Sequence, residues 1–335
     1  IAPVAVAKNT TVYLDANGSA SISYTDIENG STDNCAVTKI NLDDSTFDCT
    51  DVGIQRVVLT VEDKAGNLDT VHAYVTVLDT ISPVAVSKNT TIYLDANGTA
   101  SISYTDIEDG STDNCSVVKI YLSDSTFDGT DLGIQRIILT VEDPSGNTDT
   151  VHAYVTVIDS IAPVAKAKNT TVYLDANGNA SISYTDIENG STDNYKITKI
   201  YLDDSTFNCS DAGIQKVILT VEDPSGNSDT MHAYVTVIDN IAPVAVAKNT
   251  TVYLDANGTA SISYTDIENT SIDNCAVTKI NLDDSTFDCT DVGIQRVVLT
   301  VEDKAGNSDT VHAYVTVLDT ISPKVTVRTD TVYLD

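Results

Sequence analysis

The sequence predicts an all-β protein, a tandem array of four β-sandwich modules, and three observations carry that reading. The text recurs every 80 residues without a gap, in copies that begin at Ile1, Ile81, Ile161 and Ile241. Within a copy, runs rich in Val, Ile, Thr and Tyr alternate in polarity, as half-buried strands do. Turn-forming residues interrupt these runs every ~8 to 12 residues, the spacing of a sandwich. The expected modules are 1–80, 81–160, 161–240 and 241–320, with 321–335 starting a fifth that is cut short. The first and fourth copies differ only at Ser19/Thr259, Gly30/Thr270, Thr32/Ile272 and Leu68/Ser308, so each copy should adopt the same structure.

Taken in order, the strand candidates of the first copy are TVYLD (11–15), ASISYTDI (20–27), VTKINL (37–42), IQRVVLTVED (54–63) and TVHAYVTVLD (70–79). No stretch reads as a helix. Asn17-Gly18 predicts a hairpin turn, because both residues tolerate positive φ, and Gly53 and Gly66 punctuate the chain before and within the last hairpin. A sandwich of 80 residues is near the lower size limit for a self-sufficient core, so extra staples are expected. The connection Asp79-Thr80-Ile81-Ser82-Pro83 has no Gly/Ser tract, and its proline restricts both itself and the residue before it. Stiff joints and strands rising ~3.3 Å per residue imply an extended rod of roughly 150 Å.

Composition excludes several functions. Of 335 residues, 18 are Lys or Arg and 49 are Asp or Glu, a formal charge of −31. Such a chain repels nucleic acid and anionic lipid, and no basic stripe breaks the pattern. Its apolar runs fall far short of the ~20 residues needed to span a bilayer. The chain opens in mid-pattern, so any export signal is expected outside this segment. His72, His152, His232 and His312 stand singly in a strand, which favours a strand-face role over zinc binding. There is no GxSxG, no Cys/His pairing and no Gly-rich phosphate loop, and acids are frequent enough for carboxylate pairs to arise by chance. No catalytic residue is assigned, and no enzymatic activity is expected.

NTTVYLD, SISYT, TDNC, STF, DVG, LTVED followed by KAGN, and HAYVTVLD, taken together, resemble the HYR (hyalin repeat) module, over every copy from end to end. That resemblance implies an immunoglobulin-like extracellular sandwich. The spacing, the acidity and DNIAPVAVAKNTTVYLDANG also resemble repeats of very large secreted surface proteins of Bacteroidota, including gliding-motility adhesins. Many relatives carry a further cysteine pair near the positions of Ala7 and His72, which this chain lacks.

Its own cysteines suggest an oxidising compartment. Cys35 and Cys49 recur as Cys275 and Cys289, and bridges Cys35–Cys49 and Cys275–Cys289 are expected, each closing a loop of about 15 residues for ~3 kcal/mol. In the middle copies Cys115 faces Gly129 at the partner position and Cys209 faces Tyr195, so both are expected to be unpaired, buried thiols.

If strands follow the usual immunoglobulin order, the last hairpin loop and the loop before the third strand lie at the amino-terminal pole of each module, where the acid closing the preceding module arrives. Three calcium sites follow: Asp79 with Asp106, Glu108, Asp113, Asp143 and Asn147; Asp159 with Asp186, Glu188, Asp193, Asp223 and Asn227; Asp239 with Asp266, Glu268, Asp273, Asp303 and Asn307. Converging carboxylates repel one another unless a cation intervenes, and hard oxygen donors in this number suit Ca2+. No EF-hand spacing occurs. The competing expectation is that these acids cap turns and solvate the surface. A fourth joint, at Asp319, lacks partner loops in this segment.

Asp-Ser/Thr patterns mark Ser45, Thr70 and Thr80 as candidate O-glycosylation sites. The reading that joins these features is a structural stalk or filament segment of a secreted or cell-surface adhesin, serving adhesion or surface motility and rigidified by calcium, with neighbouring repeats as its partners. The alternative is an array of modules binding glycans or other cells through Tyr13, Tyr24, Tyr74 and their copies.

Overall fold

The computed structural model describes residues 1–332. The chain forms two compact units, Ile1–Ile161 with Asn194–Lys196, and Ala162–Asp193 with Ile197–Asp335. Each unit contains the same pair of sheets twice.

In the first copy the elements are β1 (Thr10–Tyr13), β2 (Ser19–Ser21), a one-turn helix α1 (Tyr24–Ile27), β3 (Val37–Leu42), β4 (Thr46–Asp48), a 3-10 turn (Cys49–Asp51), β5 (Gly53–Asp63) and β6 (Leu68–Leu78). One sheet has the order β1-β6-β5-β3 and the other pairs β2 with β4. β1 runs parallel to β6, Thr10 opposite Val75 and Tyr13 opposite Leu78, while β5 and β3 are antiparallel to their neighbours. This is the immunoglobulin-like sandwich that the resemblance implies, and it recurs in all four copies.

Alternation builds the core. Val57, Leu59 and Val61 of β5 and Ala73, Val75 and Val77 of β6 are fully buried, and they pack with Leu14, Ile22, Ile27 and Phe47. Their sequence neighbours His72 and Tyr74 face outward.

Three sequence expectations change. Asn17-Gly18 makes a tight turn in which Gly18 N donates to Asp15 O at 2.9 Å, with Gly18 at φ +72°. That turn joins strands of different sheets, so it is a crossover rather than a hairpin. The strand expected over ASISYTDI stops at Ser21; Asp26 accepts from Ser23 N at 2.7 Å and from its Oγ at 2.9 Å, and this cap nucleates α1. β4, only three residues long, was not among the expected strands. Among the described residues of the expected fifth repeat, 321–332 are exposed and belong to no strand, and 333–335 lie outside the described residues. Among the described residues no helix is long and apolar enough to cross a membrane.

Candidate metal centre and joint disulfides

Strand registers define the two poles of a module. Gly53 lies opposite Val77, so the start of β5 and the end of β6 mark the carboxyl-terminal pole. The β5–β6 turn and Val37, which pairs with Asp63, mark the amino-terminal pole. At that turn the aspartate caps its own hairpin. In the second copy Asp143 accepts from Asn147 N at 2.8 Å and from Asn147 Nδ2 at 2.7 Å, and it is 1% exposed. Asn147 Nδ2 also reaches Asp79 O at 3.2 Å, tying the end of one module to the hairpin of the next. Asn147 thus acts through its amide nitrogen, as a donor that holds two acids in place.

Asp79, 6% exposed, enters from the preceding module, and Asp113 from the loop before the third strand. One carboxylate oxygen from each of Asp79, Asp113 and Asp143 lies within 4.8 Å of the others. Asn114 Nδ2 donates to Asp79 Oδ1 and to Asp15 O, both at 3.2 Å, which turns its Oδ1 inward. Asp79 Oδ2, Asp113 Oδ1 and Asn114 Oδ1 are buried with no hydrogen-bond partner. In the second unit Asp239, Asp273 and Asp303 converge in the same way, and Asp273 Oδ1 and Asn274 Oδ1 are the buried orphans. Asn274 Nδ2 holds Asp239 Oδ1 at 3.1 Å, and Asn307 Nδ2 holds Asp303 Oδ2 at 2.7 Å.

Magnitudes show what such a cluster requires. Two like charges 4.8 Å apart repel by about 3.5 kcal/mol at an effective dielectric constant of ~20. Three such pairs reach on the order of 10 kcal/mol, comparable with the whole stability of a domain. Ion pairs of these modules, such as Lys39–Glu62, Lys88–Asp109 and Lys279–Glu302, involve other acids. Buried oxygens without donors are costly unless a cation takes them. Three converging carboxylates are hard oxygen donors of the kind that Ca2+ takes.

Other expected ligands stand apart from the cluster. Asp106 and Asp266 cap one-turn helices, and the backbone N–H of Ser103 or Ser263 holds each carboxyl below its ordinary value. Glu108, Glu188 and Glu268 are lowered in the same way by the backbone N–H of Ser111, Ser191 and Ser271. Asp186 accepts from Ser183 N at 2.7 Å. Asp159 is a buried residue of the first unit; Asp193 and Asp223 belong to the second, where Asp223 accepts from Asn227 N at 2.9 Å. Asn114 and Asn274 were missing from the expected ligand set, although TDNC places an amide beside each loop aspartate. Among the candidate glycosylation sites, Thr70 and Thr80 are exposed and Ser45 is half-buried.

The disulfides overturn the expected pairing. Cys49 bonds Cys115, with Cα atoms 5.4 Å apart, and Cys209 bonds Cys275 at 5.3 Å, while Cys35 and Cys289 are exposed free thiols. The expected bridges Cys35–Cys49 and Cys275–Cys289 fail because their members sit at opposite poles of one sandwich. Cys35 lies beside Val37 and the hairpin turn; Cys49 follows β4 and packs on Gly18. A cysteine at the carboxyl-terminal pole meets its mate in the next module, 66 residues on. Cys115 and Cys209 are therefore bridged, not buried free thiols. Gly129 and Tyr195 occupy the same relation, and a Cβ built on Gly129 would fall 2.1 Å from the Tyr195 ring. Glycine is the residue that leaves room for that ring.

No family model matches the chain. It is 29% identical over 298 residues to hyalin of Strongylocentrotus purpuratus, covering 84% of this chain and 25% of that protein. It is 30% identical over 208 residues to an uncharacterized 81.3 kDa protein of Acholeplasma phage L2, covering 57% of this chain and 27% of that one. The chain thus spans about a quarter of the length of the curated relatives it matches. Similar solved structures include protocadherin gammaB7 EC3-6 (12% identity, 92% and 98% of the two chains, TM-score 0.33) and the Sidekick-1 immunoglobulin domains 1–5 (12%, 93% and 79%, TM-score 0.33).

Proposed function

We propose that the chain is a non-enzymatic stalk or filament segment of a secreted or cell-surface adhesion protein, with module boundaries after residues 80, 160, 240 and 320. Its neighbouring repeats are joined by calcium and by disulfides, so that the array transmits force and distance. The convergence of Asp79, Asp113 and Asp143 around buried, donorless oxygens carries this reading. Hyalin similarity and the tandem sandwich architecture support an adhesion-type role outside the cell. Disulfides between modules fit an oxidising compartment. Surface motility of the Bacteroidota kind and O-glycosylation at Thr70 and Thr80 belong to the same reading. When bound, the ion supplies positive charge that Asp79, Asp113, Asn114 and Asp143 would share.

Calorimetric titration of the intact chain with calcium chloride, together with its melting temperature in calcium and in EGTA, tests the reading. Saturable binding with a raised melting point is expected; no binding heat and an unchanged melting point would sink it. Small-angle scattering in the two buffers then asks whether the maximum dimension depends on the ion.

A further inference from the structure

We propose that the cavity beside the Cys209–Cys275 bridge docks a small thiol bearing carboxylates, of the glutathione class, and that opening the bridge there loosens the acids gathered at the same joint; this last step rests on the calcium reading. The cavity, of about 530 Å³, lies where the third module meets the fourth, and both bridged cysteines line it together with Val237, Asp239, Thr278 and Lys304. A volume of that order suits a small-molecule ligand.

Charge selects the occupant. Most of a chain with a formal charge of −31 repels an anionic thiol. Lys304 is exposed, lines the cavity and supplies the positive charge that such a thiol needs. Asp239, an acid in the same wall, is already engaged, since its Oδ1 accepts from Asn274 Nδ2 at 3.1 Å and from Ile241 N at 3.2 Å. In the second module Pro144 stands at the place of Lys304, so the Cys49–Cys115 bridge lacks this cation.

The bridge grips the loop that carries one of the joint acids. Cys275 follows Asp273 and Asn274 directly, and its N donates to Asp273 Oδ2 at 3.0 Å. Cys209 Sγ lies 3.6 Å from the Asn274 carbonyl oxygen. The covalent bond thus fixes the loop that brings Asp273 to Asp239 and Asp303. Once it opens, the Asn274 side chain still holds Asp175 O and Asp239 Oδ1, at 3.2 and 3.1 Å, through hydrogen bonds alone.

The chemistry is thiol–disulfide exchange. The incoming thiolate attacks one sulfur of the bridge, the Sγ–Sγ bond breaks as a mixed disulfide forms, and the other cysteine leaves as a thiolate that takes up the proton lost by the incoming thiol. A second glutathione attacks the mixed disulfide, releasing oxidised glutathione and the second cysteine thiol.

The test treats the intact chain with reduced glutathione and reads the opening of each bridge by the masses of alkylated peptides. Cys209–Cys275 should open faster than Cys49–Cys115. Lys304→Ala, at an exposed position, should slow that opening by about 1.5- to 5-fold, yet leave its reduction by neutral 2-mercaptoethanol unchanged. Equal rates for parent and variant with glutathione, or the same slowing with both thiols, overturn the docking site. Equilibration with graded ratios of reduced to oxidised glutathione, in calcium chloride and in EGTA, reads the link to the joint. Calcium should raise the ratio needed to open Cys209–Cys275 by about 5- to 150-fold. An unchanged ratio, with calcium binding seen by calorimetry, overturns the link and leaves the calcium reading standing. Absence of binding heat removes the calcium reading and the link together, while the thiol site is still decided by Lys304→Ala.

Discussion

Carboxylates along the body of a module and those at its poles look alike in the sequence and do different work. Asp26 and Glu28 lie in the body, each taken up by backbone N–H groups within five residues: Ser23 N for Asp26, Ser31 N for Glu28. Asp79 and Asp113 stand at a joint, where a carboxylate oxygen of each is buried without a donor. The body acids are solved locally. The joint acids are solved by half: Asp79 Oδ1 accepts from Ile81 N and Asn114 Nδ2, and Asp113 Oδ2 from Cys115 N and Ser116 N, while the second oxygen of each has no donor.

The widest gap between the two classes should appear on chelation. A ligand present at 100 times its Kd stabilises by about 2.7 kcal/mol per site, and each kcal/mol moves the melting point of a small domain by roughly 4–8 °C. EGTA should therefore lower the melting temperature by on the order of 10 °C. Asp79→Asn should remove most of that response at its joint, while Asp26→Asn leaves it intact; equal losses in both variants would erase the distinction.

Next in size is the covalent clamp. Closing a loop of 66 residues is worth about 4 kcal/mol in the chain-entropy model. Cys115→Ser should weaken unfolding resistance by about 2–4 kcal/mol in urea titration and reduce calcium affinity, because Asp113 and Asn114 precede that cysteine directly. Gly129→Ala should destabilise by about 1–3 kcal/mol through overpacking against Tyr195, whereas Gly129→Cys with Tyr195→Cys should yield a third bridge, seen as a free-thiol count unchanged from the parent despite the two added cysteines.

Smaller still is the local cap. Asp26→Ala removes the acceptor for Ser23 N and should cost about 1 kcal/mol without any calcium dependence. Acid sharpens the same contrast in calcium-free buffer. Asp26 and Glu28 are held below 3.8 and 4.5, in each case chiefly by a backbone N–H. A depressed folded-state pKa gives stability that is complete above the unfolded value and is lost as pH falls through the folded one. The urea midpoint should be flat from neutrality to about 4.5 and decline below it; a decline on raising the pH instead would reverse the assignment.

Much of the fold was legible because it rests on short-range pattern. The alternation in residues 54–63 and 70–79 gave the long hairpin, and the 80-residue period gave four copies. Where the pattern stopped being local, the reading failed. Asn17-Gly18 has hairpin chemistry, but its flanking strands enter different sheets. YTDI has strand composition, but the Asp26 cap turns it into helix. Asp113 and Asp143 were found as joint acids, while Asn114 was passed over because an amide oxygen shows its value only once its nitrogen is seen to be occupied.

The cysteines carried a readable signal that was counted within modules instead of between them. Gly129 and Tyr195 lose their cysteines together, which is consistent bookkeeping for a pair 66 residues apart and for no other pairing.

By itself the sequence determined the repeat, the strand alternation and the acidity, since each is a property of neighbouring residues or of composition. Tertiary structure decided which acids converge and which sulfurs meet. Those outcomes depend on strand parity, which sends Cys35 and Cys49 to opposite poles and brings Asp79 of one sandwich to the hairpin of the next.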